Sequence, residues 1–242
     1  MINPAEFVER VTVWLREEIR NAKAKGGVLG ISGGIDSAVV ALLLKRALGD
    51  NMLGLIMPCH SSSKDIDDAL ELVRSFEIPY RVVDLSPVYD AFLAVLEETD
   101  RKGDTALANI KPRLRMTTLY YFANRFNYLV VGTGNKSELE VGYFTKYGDG
   151  GVDLLPIGSL VKSEVREVAR YLGVPEKIIS KPPTAGLWEG QTDEGEMGIT
   201  YEAIDSYLIE GKGEPDIIKK IENMRERNKH KRVPPKVFLF NR

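Results

Sequence analysis

Short apolar runs alternate with longer stretches of helical periodicity in the first half of this chain, and that alternation leaves few folds open. GGVLGIS (Gly26–Ser32), MLGLIMP (Met52–Pro58), RVVDL (Arg81–Leu85) and YLVVGT (Tyr128–Thr133) read as strands. Between and before them, helices are expected over Pro4 to about Lys25, Asp36–Leu48, Asp65–Phe76, Pro87–Glu98 and Lys111–Asn124. In the first of these, Phe7, Val11, Trp14, Leu15 and Ile19 recur at spacings of three and four and form one apolar stripe. Strands that are apolar throughout, separated by helices, are covered on both faces and run parallel. The expected fold is therefore α/β, a doubly wound, mostly parallel five-stranded sheet with helices on both faces and right-handed crossovers. In such sheets ligands bind beyond the carboxyl ends of the strands. The loops Ser32–Ser37, Pro58–Lys64 and Thr133–Ser137 should then share one rim.

The second half is less regular. Residues 140–160 are glycine-rich, Val161–Leu172 returns to a clean helix, and Lys181–Gly198 reads as a long irregular stretch. Helices follow over Tyr201–Leu208 and Pro215–Lys229. A length of 242 residues suits one domain over residues 1–242. With 43% hydrophobic and 28% charged residues, wholesale disorder is excluded. The balance of 33 Lys+Arg against 35 Asp+Glu argues against holding nucleic acid through bulk charge. The longest apolar run, Ala38–Leu44, is far short of the roughly 20 residues that span a bilayer. A single cysteine, Cys59, excludes an internal disulfide and fits a reducing compartment. The opening MINPAEFVER shows no secretory pattern. The expectation is a cytoplasmic protein with no membrane and no nucleic-acid partner.

GISGGIDS, Gly30–Ser37, lies between a strand and a helix. Glycines let a backbone turn tightly and approach a ligand closely. The helix that follows offers unpaired N–H groups and a positive dipole end, which together suit phosphate. Ser32 and Ser37 add hydroxyl donors, and Asp36 can hold a cation that screens phosphates. The GK[ST] ending of a Walker A loop is absent, and so is GxGxxG. The plainer reading stays open: a Gly-Gly turn with Asp36 near a helix cap.

SGGIDS at the first strand–helix turn resembles the pyrophosphatase loop of ATP-dependent adenylating enzymes. That superfamily includes NAD, GMP and asparagine synthetases and tRNA-modifying enzymes. Later segments narrow the choice. NIKPRLRM (Asn109–Met116), TGNKSE (Thr133–Glu138), FTKYGDGGVDLLPI (Phe144–Ile157), PTAGLWEGQTDE (Pro183–Glu194) and HKR (His230–Arg232) resemble NAD synthetase in order and spacing, over most of the chain. The resemblance implies an adenine nucleotide alpha hydrolase-like fold. It implies an ammonia-dependent ligase of NAD biosynthesis, in which ATP adenylates the nicotinate carboxylate of deamido-NAD and ammonia displaces AMP. It implies ATP contacts at Gly30, Ile31, Ser32, Gly33, Gly34, Ile35, Asp36, Ser37, Thr133, Lys162 and Thr184. It implies deamido-NAD contacts at Arg113, Lys146, Asp153, His230 and Lys231, and Mg2+ on Asp36 and Glu138. Asp36, Lys162 and Asp153 carry the catalytic expectation, and a homodimer with the dinucleotide site at its interface is implied as well.

These residue types suit the chemistry. Attack of a carboxylate on the α-phosphorus brings two anions together and builds charge on departing pyrophosphate, so cations and fixed N–H dipoles are needed there. Lys162 opens its helix, where a cation opposes the dipole, so another reason for it is worth seeking. Glu138 reads equally as a solvated first-turn residue, and Thr133 and Thr184 as strand end and turn. Arg113 can grip phosphate or carboxylate with two prongs. From Asn109 to Lys146 six basic residues face two acidic ones, a use for which an anionic dinucleotide would account. Asp153 could accept from a ribose hydroxyl or the incoming amine, and no general base stands out. His230 is otherwise an ordinary surface histidine; His60 and Cys59 carry no assignment. Gly186–Glu210 holds seven acidic and no basic residues, either a solvated surface or a lid that keeps water from an adenylate. A tRNA-thiolating relative or another adenylating amidotransferase remains as the enzymatic alternative, and a non-catalytic nucleotide-binding module as the other.

Overall fold

The computed structural model describes residues 2–188 and 190–240. In chain order it runs α1 (Pro4–Asn21), β1 (Gly26–Gly30), α2 (Ile35–Leu48), β2 (Met52–Ile56), α3 (Ser63–Ser75), β3 (Tyr80–Val82) and α4 (Ser86–Val95). There follow α5 (Thr105–Ala108), α6 (Ile110–Phe126), β4 (Tyr128–Val130), α7 (Lys136–Val141) and α8 (Lys162–Leu172). Helices α9 (Glu176–Ile179), α10 (Asp193–Met197), α11 (Tyr201–Glu210) and α12 (Pro215–Arg227) complete it, with a 3-10 turn over Lys229–Lys231.

The strands form one parallel sheet in the order β3-β2-β1-β4. The chain leaves β1 toward β2 and β3 on one side, then crosses back to β4 on the other. That reversal opens a crevice between the carboxyl ends of β1 and β4. Both faces are covered, as the alternation in β1 shows. Leu29 packs into a core with α1, α2 and α8, whereas Val28 packs with Tyr89 of α4 and Phe122 of α6. Helix α2 is buried nearly all round because it lies between the sheet and the helices α1 and α8. Its Leu43 and Leu44 are fully buried, each worth roughly 1.5–3 kcal/mol of transfer free energy. A smaller third cluster joins Val141, Met197, Tyr201, Ile204 and Ile221 across α7, α10, α11 and α12.

The sheet has four strands, not the expected five. A fifth strand shrinks to a single parallel bridge between Val131 and Leu154. The side chain of Asp153 accepts the Val130 N–H at 2.8 Å, and Pro156, which has no N–H, follows two residues after Leu154. The ladder therefore cannot extend. The 181–198 stretch is less irregular than expected: Thr192 caps α10 by accepting from Gly195 N–H at 3.2 Å. Among the described residues no helix is long and apolar enough to cross a membrane.

Candidate active site

A cleft of about 560 Å³ opens at the crevice between β1 and β4. All three loops expected on one rim contribute to its wall. The loop after β1 is braced by its own serines. Ser37 Oγ accepts from Ser32 N–H at 3.2 Å and donates to the Gly34 carbonyl at 2.9 Å, while Ser32 Oγ accepts from Gly34 N–H at 3.2 Å. Gly33 has φ +78°, and a Cβ there would lie 2.3 Å from the Asp65 carbonyl oxygen. Only glycine fits that bend. Helix α2 then starts without a side-chain cap, so its first-turn amides face the cleft rim with their hydrogens available.

Asp36 in the first turn of α2 and Glu138 in the first turn of α7 converge on one ammonium. Lys162 Nζ donates to Asp36 and, at 3.2 Å, to Glu138. The lysine side chain is 2% exposed, and the carboxylates 19% and 17%. Asn135 holds the arrangement from behind. Its Oδ1 accepts from Glu138 N–H at 3.0 Å, Glu138 accepts from Asn135 N–H at 3.2 Å, and Asn135 Nδ2 donates to Asp36 at 3.0 Å. Burial pushes the Glu138 carboxyl up to about 7; Lys162 pulls it down and Asp36 adds to the rise. Burial works against the Lys162 charge too, but Asp36 and Glu138 outweigh it and hold the ammonium firmly protonated. Two carboxylates against one lysine leave surplus negative charge on hard oxygen donors. Asp36 and Glu138 therefore have the chemistry to hold a divalent cation that keeps waters and shares phosphate oxygens. Among the described residues no three His, Cys, Asp or Glu gather at metal-holding distance.

Part of the cleft wall is basic: Arg113, Lys146, His230 and Lys231 line it, and so do Thr133 and Thr184. Lys146 Nζ donates to the His230 carbonyl at 2.6 Å, and Lys231 Nζ to the carbonyls of Gly142 and Phe144 at 2.8 and 2.9 Å. Both ammonium groups thus hydrogen-bond to neutral backbone acceptors, while burial lowers the Lys231 pKa and the nearby Asp149 carboxylate partly offsets that. Asp153 stands apart. It is not part of the cleft wall, and its carboxylate accepts from Tyr120 O–H at 3.0 Å and from Val130 N–H.

Residues 181–188 form a strap on the cleft wall, and lysines supply two of its ties. Lys181 pairs with Asp65 and, at 3.0 Å, with Asp68, while Lys111 Nζ donates to the Leu187 carbonyl at 2.8 Å. Glu189, one of the seven acids counted in this region, lies outside the described residues.

The order and spacing of these parts match known proteins. The family model described as NAD synthase matches residues 7–235. The chain belongs to the NAD synthase family. An NH(3)-dependent NAD(+) synthetase of Carboxydothermus hydrogenoformans is 54% identical over 241 residues, 99% of each chain. Among solved structures, the NH3-dependent NAD synthetase of Campylobacter jejuni is 34% identical with a TM-score of 0.82, covering 99% of this chain and 100% of its own. An NMN synthetase of Francisella tularensis is 40% identical with a TM-score of 0.93, again covering 99% and 100%. The chain thus spans the full length of these family members.

Several residues of the site were not singled out from sequence. Asn135 is fully buried behind the carboxylates, and the N-x-x-E spacing of a capping box was its available signal. Arg115 donates to the Met57 carbonyl at 3.1 Å and to Ser61 Oγ at 3.3 Å on the cleft wall; its place in a basic helix was visible, its partners were not. Tyr201 donates to Asp193 at 2.9 Å and to Glu138 at 3.3 Å, and its ring lies 4.8 Å from Lys162 Nζ. No local pattern marks it.

Proposed function

We propose that this chain converts deamido-NAD to NAD with ATP and ammonia, through a carboxyl-adenylate. The observation that carries the reading is the convergence of Asp36 and Glu138 on the buried Lys162 beside an uncapped glycine loop. The amides of Gly33 and Ile35–Ser37, which are not taken up by the loop's own bonds, hold the ATP phosphates. The nicotinate carboxylate attacks the α-phosphorus, and pyrophosphate leaves with its charge matched by those amides and by Lys162. Ammonia then attacks the acyl carbon and AMP departs. Asp36 and Glu138 would hold Mg2+, whose chemistry is to draw charge from the phosphate oxygens. Arg113, Lys146 and Lys231 bind the anionic part of the dinucleotide, and the strap limits water around the adenylate. Pyrophosphate and NAD release, measured with deamido-NAD, ATP, Mg2+ and ammonium, tests this. Pyrophosphate formation without NAD, or neither product, would contradict it.

The likeness to an NMN synthetase at a TM-score of 0.93 supports a second substrate, nicotinate mononucleotide, which carries the same carboxylate. Rates with both acids decide between them. The dinucleotide reading expects kcat/KM for deamido-NAD to be at least about tenfold higher, a difference of roughly 1.4 kcal/mol.

Arg113→Ala is expected to raise the KM for deamido-NAD by about 10- to 100-fold while leaving that for ATP within about threefold, the size of one lost charge-assisted contact. Equal losses for both substrates would contradict the role. The pH dependence follows from Glu138. A cation needs its ionised form, and its pKa sits near 7. Half-saturating Mg2+ should therefore fall about tenfold per pH unit from 5.5 to 6.5 and level off above 7.5. A flat requirement over that range would remove Glu138 from the cation site.

We also read the chain as one domain that works as a homodimer in the cytoplasm. Exposed apolar side chains on α4 (Val88, Phe92, Val95), β3 (Val82) and α6 (Tyr121) support a partner on that side of the sheet. Sedimentation equilibrium at micromolar concentration should give twice the 27.0 kDa chain mass.

A further inference from the structure

The N-terminus of α8 carries Lys162, and the helix's own Glu164 accepts only from Val161 N–H, at 3.1 Å, leaving the next amides to find other acceptors. Val161 supplies no acceptor, and a lysine in the first turn opposes the helix dipole. The missing acceptor comes from another helix. Asp205 of α11 is 4% exposed, and its carboxylate accepts from Ser163 N–H at 2.7 Å and Lys162 N–H at 3.3 Å. The same carboxylate accepts from Ser137 Oγ at 2.6 Å, and Ser137 Oγ in turn accepts from Lys162 N–H at 3.0 Å. Ser137 is fully buried and adjoins Glu138. One turn earlier on α11, Tyr201 reaches Glu138. A single face of α11 therefore touches the backbone of the lysine helix and the first turn of the glutamate helix together.

We propose that Asp205 is a positioning residue for adenylation: it fixes α7 and α8 relative to each other and so sets the distance between Glu138 and Lys162. This rests on the reading of those two residues as phosphate-side machinery. Neutralising a buried carboxylate with three donors lets the two first turns drift, and a shift of about 1 Å in a reacting geometry costs on the order of 100-fold.

The test compares wild type, Asp205→Asn, Ser137→Ala and the double variant by steady-state kinetics, ATP–pyrophosphate exchange and thermal melting. For Asp205→Asn, kcat should fall about 10- to 100-fold, exchange should fall in proportion, and KM for deamido-NAD should stay within about twofold. The double variant should be no slower than Asp205→Asn by more than about twofold, because both changes cut one network. A purely structural cap would lower the melting temperature and leave kcat per folded molecule unchanged, and that result overturns the proposal. So does a loss confined to KM for deamido-NAD. If Asp205→Asn does not fold, Ser137→Ala carries the same test, and an unchanged kcat there overturns it. Should wild type itself make no NAD, the reading of the site falls; should wild type work and Asp205→Asn match it, only the role of Asp205 falls.

Discussion

Lys162→Ala is expected to slow adenylation by about 1,000-fold, the scale seen when a cation matched to departing phosphate charge is removed. The lysine is 2% exposed and held by two carboxylates on separate helices, so its ammonium position is fixed before substrate arrives. Arginine should not rescue it, since a planar guanidinium needs more room than that buried slot provides. Stability should respond with a definite sign. Glu138 already titrates near 7 when folded, above its ordinary value of 4.5. An acid whose folded pKa is raised costs stability as pH climbs past its unfolded value, and the cost is complete above the folded one. Without Lys162 the folded pKa rises further and the cost extends to higher pH. The melting-temperature gap between wild type and Lys162→Ala should therefore be wider at pH 8.5 than at pH 5.5. Equal gaps would show that Glu138 does not feel Lys162.

Asp36→Ala should abolish ATP–pyrophosphate exchange, a drop of at least about 1,000-fold, because it removes one of the two carboxylates proposed to hold the cation, together with a partner of Lys162. The fold should survive. Glu138 remains to neutralise the buried ammonium, and Asn135 keeps its capping bonds to Glu138. Circular dichroism and thermal melting alongside the exchange assay check both halves. A variant that keeps more than a tenth of wild-type exchange would remove Asp36 from the reaction.

Much of this was legible in the sequence, and the limits have physical causes. The inner strands announced themselves because parallel strands covered on both faces are apolar throughout: all of β2, Met52–Ile56, is buried, whereas all of the edge strand β3 is exposed. The glycine loop was legible because positive φ and close backbone approach demand glycine, as at Gly33. Lys162 was flagged by its awkward place at a helix start, and the structure supplies the reason in Asp36 and Glu138. The fifth strand failed because a side chain, Asp153, competes with the ladder for the Val130 N–H, and composition does not reveal such a competition. The backing residues were hidden for another reason. Ser137 and Asp205 stand 68 residues apart, and Lys162 and Asp36 126 apart. Periodicity and motif spacing speak about neighbours along the chain. Pairings of this span depend on how α11 meets α7 and α2 meets α8 in space.

The central claim is that the loop after β1 cradles the triphosphate at the crevice between β1 and β4. A crystal structure with an α,β-methylene analogue of ATP and Mg2+ tests it most directly. The account predicts phosphate oxygens on the amides of Gly33 and Ile35–Ser37, with electron density for a cation touching Asp36 and Glu138. A triphosphate seated against the basic wall of Arg113 and Lys146, with the glycine loop bare, would contradict it.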